Sequence, residues 1–343
     1  MHRRAIAYAC LSAALFGAST PFAKLLVGTM PPLALAGLMY LGSGVGLGVW
    51  FAFRRRGPNL TLRDLPWLAA AILLGGILGP ALLMYGLART DGATASLLLN
   101  LEIVFTAVLA WTVFRENVDR RVFVGLLAIV AGGLVLSWEQ APKANGLTGP
   151  LLIAATCLAW ALDNNLTRRI SGGDAVAIAA MKGLVAGAVN LGLSLAMGAY
   201  LPAPGAMGLA GLVGLLGYGI SLVLFIMALR ELGTARAGAY FSVAPFYGAA
   251  IALFLLDERA GPALWAAAGL MGVGVWLHLT ERHEHEHLHE PTTHAHEHVH
   301  DLHHQHEHQG HWDGREPHTH VHEHGRVRHR HPHYPDLHHR HRH

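Results

Sequence analysis

The chain has 343 residues, a formal net charge of +3, and a composition that is 52% hydrophobic and only 14% charged. That average conceals two materials: residues 1–280 are apolar almost throughout and carry +7, while residues 281–343 carry −4 and hold 24 of the 26 histidines. Long stretches without any charge exclude a soluble globular body, and basic residues set in short clusters between apolar runs exclude a nucleic-acid-binding face.

In chain order, the start imitates a secretory signal, with Arg3 and Arg4 ahead of an apolar stretch. The apolar pattern runs on past Phe22 to Val27, longer than the core of a cleavable signal, so it reads as a retained first span. A helix crossing the hydrocarbon needs about 20 mostly apolar residues. The pattern predicts ten of them: 5–27, 32–53, 66–88, 93–114, 121–138, 149–167, 175–197, 207–229, 235–256 and 260–279. The expected fold class is an all-α membrane protein. Lys and Arg in short loops set its orientation: with the amino terminus inside, thirteen arginines from Arg3 to Arg236 fall on the cytoplasmic side, against Arg89, Lys143 and Arg259 outside. Both termini are therefore expected in the cytoplasm, in a bacterial-type inner (plasma) membrane. Cys10 and Cys157 lie in apolar stretches and read as buried small hydrophobes.

Shifted by 142 residues, 93–116 of the fourth span lies over 235–258 of the ninth, matching four alanines and the terminal glutamate. At a similar offset Phe16-Gly17 falls over Trp160-Ala161, and Lys24 over Arg168. The natural parse is two five-helix repeats, residues 1–142 and 143–280, followed by a tail at 281–343. Five is odd, so the second repeat is expected to enter the membrane from the opposite side. Inverted repeats around a site near the midplane are an architecture of secondary transporters.

These residues resemble the EamA-type members of the drug/metabolite transporter superfamily over roughly residues 5 to 279. The resemblance is carried by Ala95-Ser-Leu-Leu-Leu-Asn-Leu-Glu102 through Ala110-Trp111 to Glu116, by Phe254-Leu-Leu-Asp-Glu258, and by the openings Leu15-Phe-Gly-Ala-Ser-Thr-Pro21 and Cys157-Leu-Ala-Trp-Ala161. It implies a ten-helix inner-membrane carrier, often an exporter of amino acids, metabolites or small toxic compounds. One departure stands out: where the family commonly has proline after Glu102 this chain has Ile103, while the second half keeps Pro245. A proline-induced irregularity in the fourth span is thereby put in doubt.

Ionisable groups inside spans cost about 2.5–3.5 kcal/mol each at the centre on insertion scales, so each is a site candidate. Glu102 lies close to mid-depth of a straight fourth span and is the first choice for a proton-accepting or cation-recognising carboxylate; the bland alternative is a structural carboxylate between helices. Asn100, about 200° round the helix, faces away from it. Asp163 and Asn164 lie in the sixth span opposite Ser19-Thr20-Pro21 of the first, as a pseudo-symmetric cavity would require; alternatively Asp163 pairs with Arg168 or Arg169. Lys24 and Lys182 read either as snorkelling cations or as substrate partners. Trp160, Tyr240 and Tyr247, with Phe241 and Tyr85, are candidate aromatic walls.

In the tail, His283, His285, His287 and His289, then His294, His296, His298 and His300, alternate with Glu and small residues. Low apolar content predicts disorder, and a flexible His/Glu chain suits Zn, Ni, Co or Cu. Residues 283–287 and 296–300 match HExxH formally, but alternating His and Glu generate that pattern by chance, and a protease needs both histidines on a stable helix beside a cleft. No enzyme and no required cofactor is expected. The leading expectation is a secondary exporter of a small organic solute, proton-coupled through Glu102, with a metal-binding regulatory tail and the bilayer, solute and divalent metals as partners. A homodimer is compatible with it. The rivals are a divalent-metal or metal-chelate transporter and a membrane metal sensor without transport.

Overall fold

The architecture comes from a computed structural model, which describes residues 2–54, 60–113, 120–140, 146–170, 173–280, 284–289, 292–298, 318–324 and 327–332. It divides into two compact units, Met1–Glu281 and Arg282–His343.

In the described residues of the first unit every regular element is helical. They are α1 (His2–Val27), α2 (Pro32–Arg54), α3 (Leu65–Ala71), α4 (Gly79–Leu87), α5 (Gly92–Leu98), α6 (Leu101–Val113), α7 (Arg120–Gln140), α8 (Thr148–Ile170), α9 (Ala175–Ala196), α10 (Pro204–Gly214), α11 (Ser221–Phe241), α12 (Ala244–Leu255) and α13 (Pro262–Leu279). A π-helical turn, π1 (Ile72–Leu78), joins α3 to α4, and a second, π2 (Leu215–Ile220), joins α10 to α11. Seven helical stretches are long and apolar enough to cross a membrane. They answer the predicted first to fifth, seventh and eighth spans. The sixth, α8, carries Asp163, Asn164, Asn165, Arg168 and Arg169 and falls outside that set, and the ninth and tenth are shorter apolar helices.

Two boundaries differ from expectation. The eighth and ninth spans were expected to part near residues 230–234; α11 instead runs unbroken to Phe241 and the chain turns at Ser242-Val243, where Pro245 has no N–H to continue a helix. The fourth span is likewise broken, at Leu99-Asn100, although no proline follows Glu102. Here the Asn100 amide bonds back to Leu97 O at 3.0 Å, a side-chain substitute for helix bonding. The two breaks lie 143 residues apart, and so do the starts of π1 and π2.

Glycines set the packing. Helix α2 lies along α9, where a Cβ on Gly44 would run into Leu184 and one on Gly183 into Gly44, and α7 meets α13 through Gly125 and Gly274. Small residues let backbones approach closely where lipid removes the hydrophobic drive between helices. Helix α8 packs on α3, π1, α4 and α6 of the first half, and α1 packs on π2, α11 and α12 of the second. Each half thus lends its first helix to the other. Large apolar side chains such as Leu25, Val49, Leu127, Leu134, Leu151 and Trp276 point outward, the surface a lipid environment requires.

In the second unit the described backbone forms two antiparallel ladders, β1 (Glu284–His289) with β4 (Val327–Pro332) and β2 (Thr292–His298) with β3 (His318–His324). Composition predicted disorder; the alternation of histidine with other residues also has the two-residue period of a strand, and these segments follow it. Of the eight tail histidines singled out above, His283 and His300 lie outside the described residues.

Candidate functional site

The fourth-span break positions the first carboxylate. Glu102 sits in the opening turn of α6, partly buried, and its Oε1 accepts a 2.6 Å hydrogen bond from Asn164 Nδ2 of α8. Among the described residues no cation lies within ion-pair distance of it. Asn100, as expected, serves a different contact: fully buried, it faces Leu97 O and Met271 of α13. Cys157 of α8 lies against the carbonyls freed at the same break, with Sγ 3.7 Å from Leu98 O.

One residue before Asn164, Asp163 turns toward α9. Lys182 Nζ donates to both of its oxygens, at 2.8 and 2.6 Å, and Thr167 Oγ1 donates to Oδ1 at 3.0 Å. The residues are 7% and 3% exposed, so this is a buried, bidentate ion pair. It corrects two expectations. Asp163 pairs with Lys182 rather than with Arg169, whose guanidinium lies 4.4 Å from the Trp67 ring; the side chain of Arg168, the other expected partner, lies outside the described residues. Nor does Lys182 snorkel, because its partner stands on the neighbouring helix at the same depth. Gly75 makes room for the pair, since a Cβ there would overlap the Asp163 carboxyl group.

Gly75 belongs to π1, where i→i+5 bonding leaves carbonyls short of intrahelical donors. Side chains from three helices supply them: Tyr40 OH (2.8 Å) and Trp160 Nε1 (3.1 Å) to Gly75 O, and Asn190 Nδ2 (3.3 Å) to both Gly76 O and Ile77 O. Trp160 therefore has a polar duty as well as an aromatic one. Its ring meets Phe16 at 5.4 Å between centroids, and Phe16 also contacts Tyr218 of π2 at 6.0 Å and Phe241 at 5.3 Å, while Tyr40 stacks on Tyr218 at 5.1 Å. This cluster joins both halves.

Of the aromatic candidates, Trp160 and Phe241 belong to the cluster. Tyr240 does not; it packs on the apolar patch of Ala5, Ala9, Ala228, Leu232 and Ala237. Tyr247 is 45% exposed, and Tyr85 lies under the Arg89 guanidinium near the bundle end. Phe16, Tyr40 and Tyr218 were missed. The signal for Phe16 was its position 144 residues before Trp160; Tyr40 and Tyr218 gave none beyond being aromatic within spans.

Lys24 also departs from the snorkelling expectation. Its Nζ donates to Leu87 O at 2.7 Å and Thr90 O at 2.8 Å, capping the carbonyl end of α4. A cation there complements the helix dipole.

These contacts lie in an apolar helical bundle of the multi-pass membrane class, with two polar helix-to-helix contacts on adjacent residues of α8 and π turns 143 residues apart. The chain belongs to the EamA-like transporter family, whose model matches it twice, over residues 3–138 and 147–280. It is 29% identical over 266 residues to an uncharacterized transporter of Methanothermobacter thermautotrophicus, covering 71% of this chain and 76% of that protein. Over 172 residues it is 28% identical to the uncharacterized transporter YetK of Bacillus subtilis, covering 48% of this chain and 52% of that one. A solved crystal structure shares the fold with a TM-score of 0.62 and 19% identity, covering 80% of this chain and 98% of its own.

Proposed function

We propose that this membrane transporter is a secondary carrier that exports a small organic solute by alternating access between two inverted five-helix repeats, with proton coupling through Glu102. The observation that carries the coupling role is the company Glu102 keeps. Its described partner is a neutral amide, whereas Lys182 is committed to Asp163 and Lys24 to backbone carbonyls. A carboxylate at a helix break, held to a helix from the other half by one hydrogen bond, can exchange a proton or a cationic solute group without dismantling an ion pair. Asp163, Asn164, Lys182 and Trp160 then shape the wall beside it, and Lys182 fixes Asp163 rather than meeting solute.

In this reading both termini are cytoplasmic, and the histidine-rich tail binds Zn, Ni, Co or Cu as a regulator. Histidine enrichment confined to residues 281–343 supports that division, since the body contains only His2 and His278. The test is a thermal-shift screen of the full chain and of residues 1–280 against metabolites, amino acids and divalent metals, because a ligand that binds the folded state raises its apparent stability by mass action. A metabolite that stabilises both proteins supports a solute site in the helical body. A response to metals alone, lost on truncation, favours the metal-linked rival.

A further inference from the structure

We propose that Glu258 is a latch that holds the end of the helical bundle opposite the amino terminus closed, and that opening this end requires its carboxylate to leave the first turn of α5. The inference rests on the transporter reading, because a latch has meaning only where a pathway opens.

Glu258 lies between α12 and α13 in the second repeat. Its two oxygens reach across to the first repeat, Oε1 accepting from Gly92 N at 2.6 Å and Oε2 from Ala93 N at 2.8 Å. These are amides at the start of α5, where a helix has donors without intrahelical acceptors. The residue placed to cap them, Asp91, makes no capping bond with its side chain. The cap comes from the other repeat instead, 166 residues away.

Three further features converge on the contact. Gly92 is required there, since a Cβ would press on Leu256 and on the Glu258 carboxylate. Asp257, immediately before the latch, is the non-glycine residue with positive φ among those described, at 51°. Left-handed backbone at an aspartate is tolerated but disfavoured, and such strain gathers at switch segments. On the other flank of the same connection, Lys24 of α1 holds Leu87 O and Thr90 O. The link between the third and fourth spans is thus gripped at both ends, a cation on the carbonyl end of α4 and a carboxylate on the amide end of α5. The gripping groups come from α1 and from the segment after α12, two helices that pack against each other. Releasing Glu258 frees the α5 end of the link and leaves Lys24 as its remaining hold.

The test uses the full chain in lipid nanodiscs, with Cys10→Ala and Cys157→Ala and a single reporter cysteine. Ser96→Cys reports on the latched end, one turn into α5, and Ser12→Cys on the end nearer the amino terminus; both serines are fully buried. Reaction with a water-soluble maleimide is timed in each background. Glu258→Ala removes two charge-assisted hydrogen bonds and is expected to speed labelling at position 96 by at least about tenfold, the scale of one such bond, while labelling at position 12 slows or holds. Lys24→Met is expected to act in the same direction, which keeps the proposal testable should Glu258→Ala fold poorly. An unchanged rate at position 96, or an equal rise at both positions from general loosening, overturns the latch. No solute is needed for this readout, so a latch that opens in a protein moving no solute in vesicles would sink the transport reading alone.

Discussion

At the scale of single residues the Asp163–Lys182 pair is the most consequential contact. Burying two charges is costly, and the pair is held by bidentate geometry and by Thr167 rather than by Coulomb attraction alone. Removing one partner strands the other, so Lys182→Met is expected to cost about 3–5 kcal/mol, and Asp163→Asn added to it should restore part of the loss. Thermal unfolding in detergent of Lys182→Met, Asp163→Asn and the double variant, analysed as a double-mutant cycle, checks this; equal melting temperatures for Lys182→Met and the wild type would mean the pair does not hold α8 to α9. Gly75→Ala probes the same place from π1, where the new methyl must displace the Asp163 carboxyl group; a loss of about 1–3 kcal/mol is expected. Both charged residues were legible as candidates, because charge inside an apolar span needs a reason. Their pairing was not. Sequence spacing brings the arginines one turn further on into view, whereas a partner 19 residues away on another helix is chosen by packing.

At the scale of elements, the third and eighth spans read from hydropathy as ordinary helices, since a π turn leaves the apolar pattern intact. What reveals π1 is the donors around it. Asn190, in the middle of an apolar helix, looks like a misplaced polar residue until its amide is seen against Gly76 O and Ile77 O. Asn190→Leu removes that donor from buried carbonyls and is expected to destabilise the fold by about 1–3 kcal/mol, measured as a lower melting temperature; an unchanged value would mean that the π turn is satisfied without it. The fourth-span break was also hidden, because the family proline that would have marked it is replaced by Ile103 and the turn is made by Asn100 instead. At the head of the third span, outside the apolar stretch, Asp64 accepts bonds from Thr61 N and Oγ1, both at 2.8 Å, and these hold its carboxyl below the ordinary aspartate range. A depressed carboxylate contributes stability that is present above its unfolded value and lost as pH falls through its folded one. Thr61→Ala removes the hydroxyl donor and keeps the backbone N–H, so it is expected to raise the titration of Asp64 part of the way toward the ordinary range, followed through the carboxyl carbon resonance of labelled aspartate; no upward movement would count against this account of the turn.

At the scale of the whole molecule, the division between an apolar body and a histidine-rich tail was read from composition, and Met1–Glu281 forms one compact unit. A handful of matches at offsets of 142–144 led to the expectation of two repeats. Backbone features that hydropathy does not carry, the π turns and the helix breaks, recur at an offset of 143. The exchange of first helices between halves could not be read, because it depends on which surfaces pack rather than on any span's own sequence. It bears on the proposed mechanism: α8 carries Asn164 from the second half to Glu102 in the first, so the alternating-access motion proposed above would act directly on the carboxylate.

The most direct measurement of the central claim is solute-driven proton movement in proteoliposomes. The full chain is reconstituted with a pH-sensitive dye inside, a pH gradient is imposed, and a solute identified by thermal shift is added. The wild type is predicted to collapse the gradient when the solute is present, and Glu102→Gln, still stabilised by the same solute, to leave it standing. Collapse at the wild-type rate by Glu102→Gln, or solute flux through the wild type with no proton movement, would contradict coupling through Glu102.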